Sequence, residues 1–327
     1  MHKRPIGLDK TMVSEVGLGT WQIGGSWGKV EDKTAMEILQ TATQQGITFF
    51  DTADVYGDGR SEKLIGKFLK QHPGKIYVAT KLGRGSDPGW PQNFTPEAMV
   101  RHTNNSLSRL GVEQIDLLQL HCIPKDVLSD GVVFDVLRDL KKQGKIADFG
   151  ASVESVEEGL VCLKEEGLAS LQVIFNIYRQ KLITDLFDQA QQRGVSLIAR
   201  VPLASGLLSG KMKKSTTFDE TDHRNFNRDG LAFNVGETFA GLPFEKGVEL
   251  TEELAALKPE GMTLAQLALR WILDYEAVSV VIPGASRPAQ VLSNAAISEL
   301  PPLSPELHKK LETFYVQKVA QHIRGPY

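Results

Sequence analysis

The chain alternates short apolar runs with longer amphipathic segments, and this alternation limits its possible folds more than any other feature. Eight runs are predicted to be strands, at residues 16–19, 47–50, 76–80, 115–120, 146–150, 171–176, 196–201 and 278–282. Several of them are apolar at consecutive positions, as expected of parallel strands that are buried on both faces. The pattern therefore predicts an α/β fold built around a parallel sheet.

The segments between these runs have helical patterns with identifiable ends. Residues 32–45 place Ala35, Ile38 and Ala42 on one face. Three further helices are predicted to begin at hydroxyl side chains that can cap a first turn, at Thr95, Thr263 and Ser304. Eight strands that alternate with helices favour a (β/α)8 TIM barrel, with residues 1–327 as one domain. A doubly wound sheet is the alternative.

Two segments stand outside the alternation. Residues 3–15 resemble a β-hairpin, which we expect to close the amino-terminal end of the barrel. Residues 211–241 form a long polar loop after the seventh barrel strand, with four scattered phenylalanines. A loop of this length within a compact domain indicates either a functional lid or disorder. In the lid interpretation, we expect Arg224 and Asn225 to lie nearest the mouth of the barrel.

Composition excludes several classes of partner. The formal net charge is −3, and 41% of the residues are hydrophobic, which is typical of a globular enzyme rather than of a nucleic-acid-binding or membrane protein. The start of the chain shows no pattern of a signal peptide, so a cytoplasmic protein is expected. Cys122 and Cys162 lie far apart without further ligands at metal spacing, so neither a metal site nor a disulfide framework is predicted.

Familiar nucleotide and hydrolase motifs do not match. The Gly17–Gly19 region is not followed by the third glycine of a Rossmann fingerprint. The stretch GLLSGK ending at Lys211 is one residue short of a P-loop. No HExxH motif occurs in the sequence, and the GxSxG match GGSWG at residues 24–28 does not directly follow a predicted strand, as a nucleophile elbow requires. Zinc protease, serine hydrolase and P-loop NTPase interpretations therefore have no support.

Four polar side chains occur at or just beyond the ends of neighbouring predicted strands. They are Asp51 and Tyr56 in DTADVYG, Lys81 in ATKLG and His121 in LLQLHC. Each could be a capping, solvated or packed residue when taken alone. In a barrel, however, the carboxyl ends of the strands meet at one mouth, where active sites are found. The four residues are therefore predicted to lie together.

These residue types suit proton donation to a carbonyl group. An adjacent ammonium lowers the pKa of a phenol, so Lys81 could make Tyr56 a better acid. Asp51 could hold Lys81 in its charged form, and His121 could orient a carbonyl oxygen. The set contains neither a nucleophile nor a metal site. We expect a proton donor that acts while another group delivers hydride.

The motifs DTADVYG, ATK and LLQLH, with GLGTWQIGG before them and IPGASRPAQVLSN near the end, resemble the aldo-keto reductase superfamily. The segments LIARVPLASGLLSGK and HRNFNRDG resemble the bacterial general-stress-protein and potassium-channel β-subunit-like branch more than the mammalian aldose reductases. The resemblance implies a (β/α)8 barrel that binds NADPH without a Rossmann fold. It also implies a catalytic tetrad of Asp51, Tyr56, Lys81 and His121.

The resemblance further implies a set of coenzyme-binding residues. For the nicotinamide, its ribose and the mouth these are Gly19, Thr20, Trp21, Asp51, Ser152 and Gln172; for the pyrophosphate, Pro202, Leu203, Ser205, Gly206, Leu207 and Lys211; for the adenosine end, Gly284, Ser286, Arg287, Gln290 and Asn294. Two residues depart from the family pattern. Val153 replaces an amide side chain, and Arg200 replaces an aromatic residue that stacks on the nicotinamide, so a guanidinium contact is expected there.

The sequence therefore predicts NADPH-dependent reduction of aldehydes, or of ketones, to alcohols. The expected partner is a small carbonyl compound, and no nucleic acid or membrane is expected. Two alternatives stay open. The resemblance to channel β-subunits allows a nucleotide-sensing regulatory subunit, and Lys81 could instead act as the Schiff-base nucleophile of an aldolase or lyase.

Overall fold

The computed structural model describes residues 1–25, 27–28 and 30–327. Its strands are β1 Lys3–Ile6, β2 Thr11–Ser14, β3 Leu18–Gly19, β4 Phe49–Asp51, β5 Tyr77–Leu82, β6 Ile115–His121, β7 Ile146–Ser152, β8 Leu168–Ile174, β9 Ser196–Arg200 and β10 Val278–Val281. Its α-helices are α1 Trp21–Gly24, α2 Asp32–Gln44, α3 Arg60–Leu69, α4 Pro96–Leu110, α5 Lys125–Ser129, α6 Val132–Lys142, α7 Val156–Cys162, α8 Leu182–Asp185, α9 Phe187–Gln192, α10 His223–Phe226, α11 Phe244–Ala255, α12 Leu264–Leu273, α13 Pro288–Ala295 and α14 Pro305–Phe314.

Strands β3 to β10 form a parallel sheet in which each strand pairs with the next one in the chain. The two edges meet through parallel bridges between Val16 and Val281 and between Gly19 and Gly284, which close the sheet. A Cβ atom at Gly19 would lie 2.9 Å from the carbonyl oxygen of Ile282, so closure needs glycine here. The predicted (β/α)8 barrel is confirmed.

The β1–β2 hairpin seals the amino-terminal end of the barrel. Its Ile6 and Val13 are buried against inward-facing strand residues, namely Phe49, Tyr77, Ala79, Leu117, Ile198, Val280 and Ile282. The backbone N–H of Gly7 donates to Ser196 Oγ at 3.2 Å, and that of Leu8 donates to Asp148 Oδ2 at 3.2 Å. The predicted hairpin and its position are therefore confirmed, and the opposite end is left for the site.

The predicted strand ends are displaced from the observed ones. The run at 171–176 was expected to form the sixth barrel strand, but β8 spans Leu168–Ile174, while β6 and β7 continue through His121 and Ser152. The ladder hydrogen bonds join backbone groups, so polar side chains at a strand end do not terminate them. The predicted helix starts hold: Thr95 and Ser304 cap α4 and α14, and Thr263 makes a capping box with Gln266.

The loop at 211–241 has an outer part, residues 211–221, which is mostly exposed, and an inner part, residues 236–241, which is buried. In the inner part, Phe239 packs on Phe244 with ring centroids 4.9 Å apart. The Ser205 hydroxyl joins the inner part to the barrel, because it donates to the Glu237 carbonyl and accepts from the Phe239 N–H. The inner part thus forms part of the wall of the barrel mouth. Ordering of residues 211–241 by a ligand stays a prediction.

Within the part of the chain that the structure describes, no helix has the length and apolar character needed to cross a membrane.

Candidate active site

Three of the four predicted polar residues form one buried chain of hydrogen bonds at the carboxyl end of the barrel. Lys81 Nζ, on β5, donates to Asp51 Oδ1 at 2.6 Å, to the Thr52 carbonyl at 2.8 Å and to the Tyr56 hydroxyl at 3.2 Å. Gln172 Nε2 donates to the other Asp51 oxygen at 2.7 Å. All three N–H groups of Lys81 are therefore used within this hydrogen-bond network, and the lysine fixes the phenol in place.

Burial and charge act on Tyr56 in opposite directions. Burial raises the pKa of its hydroxyl above the ordinary value, while the Lys81 ammonium opposes this increase. The sequence predicted a lowered pKa from Lys81 alone and did not include the burial, which is the larger effect here. The phenol is therefore protonated at neutral pH and is available as a proton donor.

Burial and charge also act in opposite directions on the pKa of Lys81, but here the combined effect of its partners exceeds that of burial. Burial alone would lower the pKa of its ammonium, but the Asp51 carboxylate and the Tyr56 hydroxyl raise it above the ordinary value. A Schiff-base nucleophile needs a free amine lone pair, which a buried ammonium with three hydrogen-bond acceptors does not offer. The geometry therefore disfavours the aldolase alternative.

His121 faces Tyr56 from the end of β6. The two rings are nearly perpendicular, with centroids 6.0 Å apart. Burial lowers the pKa of the imidazole well below its ordinary value, and the cationic Arg84 and Lys81 add to the effect. His121 Nδ1 is buried and has no hydrogen-bond partner among the described residues. A neutral imidazole with a free ring nitrogen can orient a carbonyl or hydroxyl group.

Helix α1 supports Tyr56 from the other side. The Trp21 ring stacks on Tyr56 with centroids 5.9 Å apart. A Cβ atom at Gly24 would lie 2.7 Å from the Tyr56 carbonyl carbon, so only glycine allows the helix to pack this closely. The phenol is thus held by packing as well as by Lys81.

A cavity of about 330 Å³ extends from Tyr56 across the mouth of the barrel, and we call it the first cavity. Of the predicted site residues, it is lined by Gly19, Thr20, Trp21, Asp51, Tyr56, His121, Gln172, Arg200, Pro202, Leu203, Ser205, Gly206, Lys211, Gly284, Ser286, Arg287 and Gln290. The structure therefore brings most of the predicted set together around one space.

Four predicted residues do not line the first cavity. Lys81 lies behind Asp51 and Tyr56 and acts through them. The hydroxyl of Ser152 is buried 4.0 Å from Cys122 Sγ. Leu207 is buried in the apolar core, and the Asn294 amide lies 3.5 Å from the Gly284 carbonyl. These four residues can contribute to the first cavity only through their backbone atoms or after a change in the shape of the cavity.

The sequence missed several lining residues. Besides Arg224, which it expected near the mouth, the structure adds Gln22, Trp27, Val201, Ser209, Met212, Glu237, Ile282, Pro283 and Ala285. Glu237 is the most consequential of them, because it brings a buried carboxylate to the mouth from the 211–241 loop. An isolated acidic residue within a polar loop carries no periodic signal that could have revealed it.

The far end of the first cavity is basic. Lys211 and Arg287 are exposed there, and neither has a carboxylate within ion-pair distance among the described residues. Arg287 directly precedes helix α13, and Gln290 in the first turn of that helix also lines the first cavity. Cations together with a helix amino terminus suit a phosphate group.

The wall of the first cavity also contains polar atoms without partners. Within the described ranges, Gln22 Oε1, Trp27 Nε1, His121 Nδ1 and Arg200 Nε are buried without a hydrogen-bond partner. Buried polar groups are normally paired, so these atoms are available to a polar ligand. Such atoms in the wall, together with the two cations, fit a nicotinamide dinucleotide.

The two residues that depart from the family pattern contact each other. Arg200 Nη2 donates to the Val153 carbonyl at 3.2 Å, and Nη1 lies 3.5 Å from Glu237 Oε1. The next residue, Val201, has a φ of +52°, which is strained for a β-branched side chain. Strain of this kind is common at functional sites. Arg200 is therefore held rigidly at the wall of the first cavity.

A second cavity, of about 600 Å³, opens on the other side of Tyr56 and His121. It shares Trp21, Tyr56, His121 and Glu237 with the first, and is otherwise lined by Val55, Arg84, Trp90, Cys122, Glu154, Ala232, Phe233, Asn234, Val235 and Pro326. The two cavities thus meet at one phenol and one imidazole.

Cys122, Glu154 and Glu237 lie close enough together to hold a metal ion. Arg84, however, pairs with Glu154 Oε1 at 2.9 Å and with Glu237 Oε1 at 3.1 Å. Burial raises the pKa of the Cys122 thiol, so this ligand is protonated at neutral pH. The guanidinium already occupies the position in which a cation would bind, and the cluster does not support a metal site.

A closed (β/α)8 barrel with this tetrad at its carboxyl end defines an oxidoreductase of the aldo-keto reductase class. The family model described as "Aldo/keto reductase family" matches residues 15–316, and the chain belongs to that family.

Relatives with assigned names agree with this membership. The chain is 30% identical to aldo-keto reductase YhdN of Bacillus subtilis, over 96% of this chain and 93% of the relative. It is 29% identical to the NADH-specific methylglyoxal reductase of Escherichia coli, over 90% and 93%. A solved glycerol dehydrogenase of Gluconobacter oxydans, AKR11B4, superposes with a TM-score of 0.78 at 30% identity and covers 99% of this chain and 97% of that one.

Proposed function

We propose that this protein reduces aldehydes to alcohols with NADPH, with Tyr56 as the proton donor. The observation that carries this proposal is the buried chain from Asp51 through Lys81 to Tyr56, which lies where the two cavities meet. A bound nicotinamide coenzyme supplies the hydride when the carbonyl compound occupies the second cavity.

The residues of this chain supply the rest of the chemistry. The carbonyl oxygen lies between the Tyr56 hydroxyl and His121, which orient it through hydrogen bonds. As hydride reaches the carbonyl carbon, the developing alkoxide takes the Tyr56 proton, and the alcohol forms. The phenolate that results is stabilised by the Lys81 ammonium, and water from the open mouth returns the proton. Asp51 keeps Lys81 charged throughout.

The preference for NADPH over NADH is the finer part of the proposal. It is supported by Arg287, an exposed cation that has no carboxylate partner among the described residues and lies beside Ser286 and the start of α13 at the far end of the first cavity. A 2′-phosphate in that position would gain charge-assisted hydrogen bonds. The Escherichia coli relative is named as NADH-specific, so coenzyme choice varies among similar chains.

The proposal is tested by mixing the purified protein with a panel of aldehydes and ketones and each coenzyme, and by following the loss of reduced-nicotinamide absorbance. We expect turnover of aldehydes, with a higher kcat/KM for NADPH than for NADH. Tight coenzyme binding without turnover of any carbonyl compound would instead support a regulatory subunit. Trapping of a carbonyl compound on Lys81 by borohydride would support the Schiff-base alternative.

A further inference from the structure

The second cavity contains charged side chains that the proposed mechanism does not use. Arg84 and Glu154 belong to its wall, and Glu237 stands between the two cavities with Arg200 behind it. All four are largely buried, with side-chain exposures of 18% for Arg84 and Glu154, 5% for Glu237 and 9% for Arg200. Charges held this far from water act strongly on whatever binds beside them.

The four charges balance one another. Two guanidinium groups meet two carboxylates: Arg84 bridges Glu154 and Glu237, and Arg200 lies 3.5 Å from the same Glu237 oxygen. Burial alone would raise the pKa of the Glu237 carboxyl, but Arg84 and Arg200 lower it to about 2. Burial and the neighbouring Glu237 raise the pKa of the Glu154 carboxyl, while Arg84 and Arg200 oppose this increase.

Arg84 is held between these two carboxylates and an aromatic ring. Its edge faces the two carboxylates, and its Cζ lies 5.6 Å from the centre of the Phe233 ring, within the range of a cation–π contact. An anionic ligand in the second cavity would have to break one of these buried pairs or lie beside two carboxylates. Removing one partner from a buried pair is costly, because it leaves the other charge without compensation.

Most of the remaining wall is apolar or aromatic, and its other polar members are His121, Cys122 and Asn234. Trp21, Tyr56, Trp90 and Phe233 present rings to the second cavity, and Val55, Ala232 and Val235 present aliphatic side chains. Such a wall binds uncharged groups by burial of apolar surface.

We infer that the second cavity selects uncharged carbonyl compounds and rejects those that carry a carboxylate or phosphate, with Glu154 as the residue that sets this discrimination. The inference rests on the proposed reductase function, since it assigns the second cavity to the acceptor. Glu154 withholds Arg84 from an incoming anion. Without its carboxylate, the cavity has two guanidinium groups against one carboxylate and gains a net positive charge.

The test compares two four-carbon aldehydes that differ in a terminal carboxylate, butyraldehyde and succinic semialdehyde. For the wild-type protein at neutral pH, we expect kcat/KM to favour butyraldehyde by at least about tenfold, the lower end of what one charge-assisted contact contributes. In Glu154→Gln, which keeps the shape of the side chain, we expect the ratio to move toward succinic semialdehyde by about ten- to hundredfold.

A matched control removes one carboxylate charge from a residue close to Glu154 in the sequence. Glu157→Gln changes an exposed residue at the start of α7 that pairs with Lys125 at the surface. Its ratio of the two aldehydes should equal that of the wild type. A wild-type preference for succinic semialdehyde, or an unchanged ratio in Glu154→Gln, would overturn the inference. The wild-type ratio decides the matter alone if Glu154→Gln fails to fold.

A binding measurement separates this inference from the reductase function. Trp21 and Trp90 line the second cavity, so ligands there should change the tryptophan fluorescence of the coenzyme-bound protein. We expect 1,4-butanediol to bind more tightly than 4-hydroxybutyrate to the wild type, with the preference reduced in Glu154→Gln. This pattern without turnover would refute the reductase function and retain the selectivity of the cavity. Turnover with tighter binding of 4-hydroxybutyrate to the wild type would do the reverse.

Discussion

The two ends of the first cavity are built differently. At the near end, Asp51 and Lys81 are almost completely buried and joined by short hydrogen bonds. At the far end, Lys211 and Arg287 stand in solvent without carboxylate partners in the described part of the chain. The near end is organised before any ligand arrives, whereas the far end gains its partners only from a ligand.

This difference separates two kinds of contribution. Preorganised groups in a water-poor site stabilise charge that develops during a reaction, so changes there should alter rates. Exposed cations are screened by water and contribute mainly to the affinity of the bound state. Substitutions at the two ends should therefore be distinguishable by what they leave intact.

The largest effect is expected from Tyr56→Phe. The substitution keeps the ring that stacks on Trp21 but removes the proton, so carbonyl reduction should fall by about 10²- to 10⁴-fold. Coenzyme affinity, measured by fluorescence titration, should stay close to that of the wild type. Near-normal turnover with confirmed coenzyme binding would show that Tyr56 is not the proton donor. The contrast between the two ends would then not hold.

The next effect concerns the stability of the near end. Lys81→Met leaves the Asp51 carboxylate buried without its ammonium partner and should reduce the free energy of unfolding by about 3–5 kcal/mol. Urea denaturation measures this change. The double variant Asp51→Asn/Lys81→Met removes both charges and should recover a large part of the loss. A single variant as stable as the wild type would show that the pair is not the strong buried interaction described here.

The smallest effect is expected at the far end. Arg287→Ala should weaken NADPH binding by about 1.5–3 kcal/mol, or roughly ten- to hundredfold, because it removes a charge-assisted contact to the 2′-phosphate. NADH binding and the turnover of saturated enzyme should change little. Equal weakening of both coenzymes would assign Arg287 to a group that they share, or to the structure of the α13 start.

The sequence predicted the barrel because burial on both faces leaves runs of consecutive apolar residues in several strands, and these runs alternate with amphipathic helical segments. It also placed Asp51, Lys81 and His121 at strand ends, where the parallel topology brings them to one mouth. Strand ends themselves were displaced, since backbone pairing continues through polar side chains. The near end was predictable because its residues follow directly from the sheet.

The wall of the second cavity was not predictable in the same way. Glu237 reaches Arg84 and Arg200 from a loop whose course depends on tertiary packing, and no local pattern marks that pairing. The contact between Arg200 and the Val153 carbonyl likewise joins the end of β9 to the residue after β7 through a side chain. Sequence periodicity reports which face is buried; it does not report which buried charges become partners.

The hairpin that seals the amino-terminal end of the barrel offers a site at which the protein can be attached to a surface. Its turn exposes Asp9 on the end of the barrel opposite to Tyr56 and both cavities, while Ile6 and Val13 fasten it to the interior. A linker attached at Asp9 would tether the protein to a solid support with its open mouth facing the liquid. Immobilisation there would leave the path of coenzyme and carbonyl compound unobstructed, because anchoring and catalysis occupy opposite ends of the barrel.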